Sequence, residues 1–372
     1  VNHIFYHGIP YSPPNEPFPG WLFYASTNFN QNSHFWKELP LLNSYVEKCQ
    51  SKLQQTKPDN DILVYLPFPD LWHSVGNSSK LNMVDVHTIT KSGIFTKDLL
   101  ALLDSLQHKG ISFDFVSDTQ LQRLTVSEKK QLKTEGKTTY KALLLPAMEY
   151  IPEATMQHIG QLAKQKAIVV FDKKLPEKVA GFYDWEKRQT AFEVQKKNFN
   201  SFISPQPIKT LLQKGIKAEA FSKQGLTYIR KKTATNQLLY FISNIGENTI
   251  NNIVLSTAKA NKWLITNPLT NQTGYLVTSN GRLPISLASG ESIFIEEISR
   301  IPADLPHYEQ LSAQKEIVLN TTWNVNFTEG IPSLPISYKI ENLDSWTNAP
   351  DTSARYFNGY AEYSTTFELT EI

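Results

Sequence analysis

The sequence has almost no cysteine, since Cys49 is the single one among 372 residues. An intramolecular disulfide is therefore excluded. Cys49 itself lies in an amphipathic stretch, where a small buried apolar residue is expected and not a nucleophile. Long apolar runs are also lacking: no segment approaches the roughly 18 consecutive apolar residues that a membrane-spanning helix needs. We therefore predict a protein without a membrane span.

A strong excess of charge of either sign is absent as well. Lys and Arg number 37 and Asp and Glu 35, which leaves a net charge of +2, and the basic residues are scattered along the chain. Nucleic-acid binding normally requires a concentrated basic face, so we predict no nucleic-acid partner.

Several short catalytic and nucleotide-binding motifs are missing too. The sequence contains no G-x-G-x-x-G, no phosphate-binding P-loop and no G-x-S-x-G turn. No two histidines have the H-x-x-x-H spacing of a helical zinc site, so metal binding by His3 and His7 is not expected.

The stretch from His3 to Trp36 differs from the rest of the chain in composition. It combines histidines and many aromatic residues with Asn, Gln, Ser and Thr, and five prolines between Pro10 and Pro19 exclude a helix there. Flat aromatic rings beside planar hydrogen-bonding groups suit a sugar, which has an apolar C–H face and a ring of hydroxyls. The same composition also fits an ordered loop whose aromatic side chains cap a core.

The first residues alternate in a way that predicts a short strand ending at His7 and Gly8. Side chains that follow the carboxyl end of such a strand reach the functional rim of barrels and open sheets. By this position and by their chemistry, four residues are the candidate ligand-binding set: His7, Tyr11, Trp21 and Asn28.

The rest of the chain changes its periodicity twice. Apolar spacing predicts an amphipathic helix over 35–55, and from the apolar run at 61–67 onward strands and helices alternate, which predicts a mainly parallel α/β sheet of flavodoxin-like or amidotransferase-like layout. Short strands separated by Asn-, Gly- and Thr-rich turns follow from residue 226 and predict a β-sandwich. Aromatic residues at alternate positions predict further strands between 316 and 372.

An ordered set of segments resembles glycoside hydrolase family 106, the α-L-rhamnosidases. The segments are YHGIPYSPP with the following PGWLFYASTNFNQNSHFW, FDFVSDTQL at 113–121, YIRKKTATNQLLYFISN at 228–244 and RYFNGYAEYSTTFEL at 355–369. The last segment also resembles the sugar-binding jelly roll of family 2 glycosidases. The resemblance implies residues 1–60 as the last βα unit of a (β/α)8 barrel, 61–221 as a flavodoxin-like domain, 222–300 as a β-sandwich and 301–372 as the truncated start of a jelly roll.

The same resemblance implies an inverting hydrolase that acts on rhamnose-containing plant or bacterial glycans, with two catalytic glutamates and a calcium ion. Because the sequence starts with Val inside a predicted strand, we expect those glutamates to precede residue 1 and assign no catalytic or metal-ligating residue in this chain. Glu16 alone cannot form the acid/base pair that inversion requires. The composition favours a bacterial periplasmic or secreted protein.

Two alternatives remain at this stage. The chain could belong to a carbohydrate-binding or scaffold protein that hydrolyses nothing, or to another glycosidase of similar domain composition, such as a β-galactosidase.

Overall fold

The computed structural model describes residues 3–17, 20–24, 27–33, 35–75, 96–278, 280–310 and 317–368. The chain forms two units. The terminal unit comprises residues 1–53 and 311–372, and the central unit comprises residues 54–310. Within the described ranges, no helix combines the length and the apolar character needed to cross a membrane.

The described residues contain eight α-helices and twenty-one strands. The helices are α1 Leu39–Gln54, α2 Phe68–Val75, α3 Lys97–His108, α4 Asp118–Leu121, α5 Glu153–Lys164, α6 Trp185–Lys196, α7 Pro207–Gln213 and α8 Thr352–Arg355. The strands are β1 Lys57–Pro58, β2 Ile62–Tyr65, β3 Phe113–Val116, β4 Thr125–Val126, β5 Leu132–Lys133, β6 Thr139–Tyr140, β7 Ala142–Leu145, β8 Tyr150–Ile151, β9 Ile168–Asp172, β10 Lys178–Val179, β11 Ile203–Ser204, β12 Thr227–Lys232, β13 Leu238–Ser243, β14 Ile250–Val254, β15 Lys262–Thr266, β16 Thr273–Val277, β17 Arg282–Leu287, β18 Ser292–Glu297, β19 Trp323–Ile331, β20 Tyr338–Ile340 and β21 Asn358–Ser364.

The first half of the central unit is a five-stranded parallel sheet with the order β3-β2-β7-β9-β11. In chain order this is 2-1-3-4-5, the arrangement of flavodoxin-type doubly wound sheets. The predicted parallel α/β layout is therefore confirmed. β2 and β7 are buried along their whole length, which explains why their sequences are continuous apolar runs.

Helices cover both faces of this sheet, and successive strand residues alternate between two cores. On one face Leu63 and Leu143 pack with residues of α5 such as Ile159. On the other face Ile62 and Leu144 pack in the core to which α3 and α7 contribute.

The second half of the central unit is the predicted β-sandwich. A six-stranded sheet, β1-β12-β13-β18-β15-β16, packs with the pair β14-β17 around a core that includes Trp263. The short strands predicted from residue 226 onward are present, and the sequence-based prediction missed β1 and β15.

A buried ion network joins the two halves of the central unit. Arg230 on β12 donates from Nη2 to Asp61 Oδ1 at 2.9 Å, from Nε to Asp59 Oδ2 at 2.9 Å and from Nη1 to Glu219 Oε1 at 3.2 Å. Asp61, at the amino end of β2, also accepts from Lys141 Nζ at 2.6 Å. Asp61 and Glu219 are fully buried, so the network is closed to substrates and serves to hold the two halves together.

The terminal unit contains α1 and the antiparallel sheet β20-β19-β21. The core of this sheet includes Val325, Phe327 and Phe357. The two residues before α1 contact the sheet, since Lys37 pairs with Glu329 and the Tyr360 hydroxyl donates to Glu38 at 3.0 Å. The helix predicted over 35–55 and the strands predicted after residue 316 are thus confirmed.

The strand predicted to end at His7 is wrong for the described residues. Residues 3–12 form no ladder, and Phe5 is 87% exposed. A strand exists only where a neighbouring strand accepts and donates its hydrogen bonds, and no strand in the described ranges forms a ladder with this segment. The predicted βα unit is therefore represented by its loop and helix alone, and the described residues form no closed barrel.

Candidate functional site

The predicted ligand-binding stretch lines a cavity of about 550 Å³ in the terminal unit. Its walls combine proline and aromatic rings with amides, a hydroxyl and one carboxyl group. The lining residues are Ile9, Pro10, Tyr11, Ser12, Pro13, Pro14, Glu16, Phe29, Asn30, Gln31, Asn32 and Trp36. We call this the loop cavity.

Local hydrogen bonds hold the loop around the cavity in place. The Trp21 backbone N–H donates to Ser12 Oγ at 3.2 Å, which brings the two sides of the proline-rich segment together. Gly20, with φ +82°, lies against the same hydroxyl, so that a side chain there would both strain the backbone and displace Ser12. The Phe29 N–H donates to the Gly8 carbonyl at 2.8 Å and fixes the opposite wall.

Aromatic contacts anchor this wall. Phe29 packs against Tyr6 at a ring-centroid distance of 4.8 Å and edge-on against Phe35 at 5.6 Å. Tyr6 in turn donates from its hydroxyl to Asn43 on α1. The cavity is therefore attached to the helix through a chain of packed rings.

Asn30 is the most informative polar residue of the loop cavity. Its Oδ1 accepts from the Asn32 N–H at 3.0 Å, which orients the amide group. Its Nδ2 is buried, and no acceptor among the described residues lies within hydrogen-bond distance. A buried amide without a partner costs about 1–3 kcal/mol, so a group that accepts its hydrogen bonds would bind there favourably.

The structure brings two of the four predicted site residues together. Tyr11 lines the cavity, and Trp21 lies beside it with the rings edge-on at 6.3 Å. Both are more than half exposed, as ligand-stacking rings must be. Their role in binding a sugar stays a prediction.

The other two predicted residues lie outside the cavity wall. His7 packs edge-on against Phe23 at 4.8 Å. Asn28 accepts from the Phe23 N–H through Oδ1 at 2.8 Å, and its carbonyl accepts from Ser33 Oγ, so its observed contacts close the turn. A role of either residue in binding a ligand stays a prediction.

Sequence reasoning missed Asn30, Asn32 and Trp36 as wall residues. They lie in the same aromatic and amide-rich stretch, so composition had indicated the segment but not the individual side chains. Strand-based placement favoured residues directly after His7, and the strand is not there.

The loop cavity has one carboxyl group, that of Glu16, and therefore no acid/base pair. Within the described ranges no group of three His, Cys, Asp or Glu side chains could hold a metal ion. The calcium ion that the family resemblance implies stays a prediction. What the arrangement can do chemically is stack a ring and exchange hydrogen bonds with its hydroxyls.

Comparisons with known proteins give the context of this chain. No family model matches it. A protein named "Putative beta-glucuronidase" from Formosa agariphila is 26% identical over 152 residues, which is 41% of this chain and 11% of that protein. A rhamnosidase structure from Novosphingobium sp. PP1Y superposes with a TM-score of 0.57 at 16% identity, over 93% of this chain and 32% of that one.

The match to Gan42B, a GH42 β-galactosidase, covers 72% of this chain and 44% of the Gan42B chain at 9% identity. Its TM-score of 0.42 is too low to bear on the fold. The chain thus shares its fold with about a third of a rhamnosidase, a glycoside hydrolase. Family 106 itself is not confirmed.

Proposed function

We propose that this chain is part of an α-L-rhamnosidase-like glycoside hydrolase and that its loop cavity binds a sugar of the substrate. The single observation that carries the proposal is the buried, unpartnered Nδ2 of Asn30 in a cavity walled by Tyr11 and Trp36. The amide would donate to a sugar hydroxyl while a ring packs against the C–H face. The fold shared with a rhamnosidase supports rhamnose as the first sugar to test.

The whole protein, on this proposal, is a periplasmic or secreted bacterial enzyme that degrades rhamnose-containing polysaccharide. The residues of the loop cavity contribute binding, and the catalytic carboxyl pair lies outside them. We expect the 372-residue chain by itself to give no hydrolysis of aryl α-L-rhamnoside above a buffer blank, and the protein as its host produces it to hydrolyse that substrate.

The binding step can be tested with Asn30→Leu, which removes the amide and keeps the side-chain volume similar. Saturation-transfer NMR should show L-rhamnose binding to the wild-type chain and binding roughly tenfold weaker to the variant, because one hydrogen-bond donor is lost. Asn15→Leu, in the same loop but outside the cavity wall, is the matched control and should bind as the wild type does. Equal loss in both variants, or no binding of rhamnose at all, would contradict the proposal.

A second candidate function has one observation in its favour, the partial match to a protein named as a β-glucuronidase. Aryl β-D-glucuronide offered beside aryl α-L-rhamnoside to the whole protein separates the two. If only the glucuronide were hydrolysed, the substrate class would be β-glucuronides and not α-L-rhamnosides.

A further inference from the structure

The central unit contains a second cavity, of about 600 Å³, at the carboxyl edge of the parallel sheet. It lies between α3, α7 and the end of β9, and we call it the sheet-edge cavity. Its wall includes Ala101 and Leu102 on α3 and Ile208 and Leu212 on α7. Ligands of open α/β sheets bind outside the carboxyl ends of the strands, so this is where the topology favours a site.

One buried polar group faces the sheet-edge cavity without a partner. Asp172, the last residue of β9, lines the cavity and is only 3% exposed. Its Oδ1 is buried, and no donor in the part of the chain that the structure describes reaches it. An isolated buried carboxylate is among the costliest groups a fold can hold, and a buried polar atom without a partner calls for a reason, of which a bound ligand is one.

Burial raises the pKa of the Asp172 carboxyl, and Asp98 adds to the effect while Lys173 opposes it. Lys173 does not neutralise Asp172 by contact, because its Nζ lies near Asp98, at 4.0 Å, and its side chain is more than half exposed. The carboxyl group therefore keeps a buried oxygen without a donor at the wall of a largely apolar cavity, and a ligand hydroxyl can supply that donor.

The mouth of the same cavity is basic. Lys109, Lys173, Lys209 and Lys223 all line it and are exposed, against the carboxyl groups of Asp98 and Asp172. A phosphate or carboxylate would be repelled by Asp172 at the base but attracted by lysines at the mouth. A ligand that satisfies both ends carries hydroxyl donors on one side and an anionic group on the other, with an apolar face between them for the walls.

We propose that the sheet-edge cavity binds an acidic saccharide, a hydroxylated ring that carries a carboxylate. A ring hydroxyl donates to Asp172, the C–H face packs on Leu102 and Ile208, and the carboxylate lies among the lysines. The flavodoxin-like half of the central unit is then a ligand-binding domain. The site is separate from the loop cavity and does not depend on the function proposed for it.

The test is saturation-transfer NMR of the whole chain with D-glucuronate, with D-glucose and acetate as the two partial ligands. We expect glucuronate to bind, added salt to weaken it, glucose to bind more weakly and acetate not to bind. Asp172→Asn should weaken glucuronate binding roughly tenfold, because a neutral amide oxygen accepts a hydrogen bond from a hydroxyl more weakly than a carboxylate does. Asp104→Asn, on α3 but outside the cavity wall, should leave binding unchanged.

A second variant keeps the test decisive if Asp172→Asn alters the fold. Ala101→Trp fills the cavity from an exposed helix position without touching the carboxyl group, and it should abolish binding. Asn30→Leu should have no effect on glucuronate. No binding of glucuronate to the wild type, or binding that survives both Asp172→Asn and Ala101→Trp, would overturn the proposal. Neither result bears on the loop cavity, which has its own experiment with rhamnose.

Discussion

Asp61 and Asp172 are two buried aspartates of one parallel sheet, and they lie at its opposite edges. Asp61 precedes β2 at the amino edge and is bound by Arg230, Lys141 and the Ser112 hydroxyl, which donates at 2.8 Å. Asp172 ends β9 at the carboxyl edge and has a buried oxygen with no partner among the described residues. Asp61 thus helps to join the two halves of the central unit at the amino edge, whereas Asp172 lines an open cavity at the carboxyl edge.

The charge of each carboxyl group follows from these surroundings. Burial alone would raise the pKa of Asp61, but the charges of Arg230 and Lys141 outweigh it and hold the pKa below its usual value. Burial raises the pKa of Asp172, and nothing in contact reverses it. Folding therefore favours the ionised form of Asp61 and the protonated form of Asp172.

The largest effect is expected from removing the cation of the amino edge. Arg230→Met leaves Asp61 and Glu219 buried without their main counter-ion and should lower the free energy of unfolding of the central unit by about 3–5 kcal/mol. Urea denaturation followed by tryptophan fluorescence measures it. Arg282→Met, an exposed position on β17, is the control and should stay within about 0.5 kcal/mol of the wild type. A loss at Arg230 as small as at Arg282 would show that the network stabilises nothing.

The two aspartates should respond oppositely to pH. The stabilisation from Asp61 is present above the unfolded-state pKa of about 4 and is lost as pH falls below it, because its folded-state pKa is lowered. Asp172, with a raised folded-state pKa, destabilises the ionised protein near neutrality, and that cost disappears as pH falls toward about 4. Asp61→Asn should thus be strongly destabilising at pH 7 and less so in acid.

Asp172→Asn should be neutral or stabilising at pH 7, and any gain should vanish in acid. Urea titrations of the wild type and both variants across this pH range give the two differences directly. Parallel curves for the two variants would remove the distinction between the edges.

The contrast between the edges could not have been predicted from the sequence. Asp61 directly precedes one apolar run and Asp172 ends another, so the local patterns are alike. What separates them is Arg230, 169 residues from Asp61 along the chain. The apolar run at 61–67 predicted β2 correctly, because burial on both faces leaves a signature within a few residues.

The loop cavity shows the same limit. Composition indicated the His3–Trp36 stretch, and Tyr11 is one of the residues that line the cavity. The predicted strand before His7 failed because a strand depends on a partner elsewhere, and Asn30 went unnoticed because an unpaired amide is a property of the folded loop. β15 was missed although Trp263 at its centre is fully buried, since a five-residue strand among Asn-rich turns gives a weak pattern.

The smallest effect is expected from an exposed ion pair of the terminal unit. Lys37 and Glu329 are in contact, but their side chains are 56% and 61% exposed, so water already solvates both charges. Exposed pairs of this kind often contribute nothing measurable to stability, unlike Arg230 in its buried network. Lys37→Met should leave the thermal midpoint of the chain unchanged within error, and a double-mutant cycle with Glu329→Gln should give no coupling. A coupling energy between Lys37 and Glu329 as large as the loss expected for Arg230→Met would contradict this prediction. It would mean that burial is not what makes the Arg230 network stabilising.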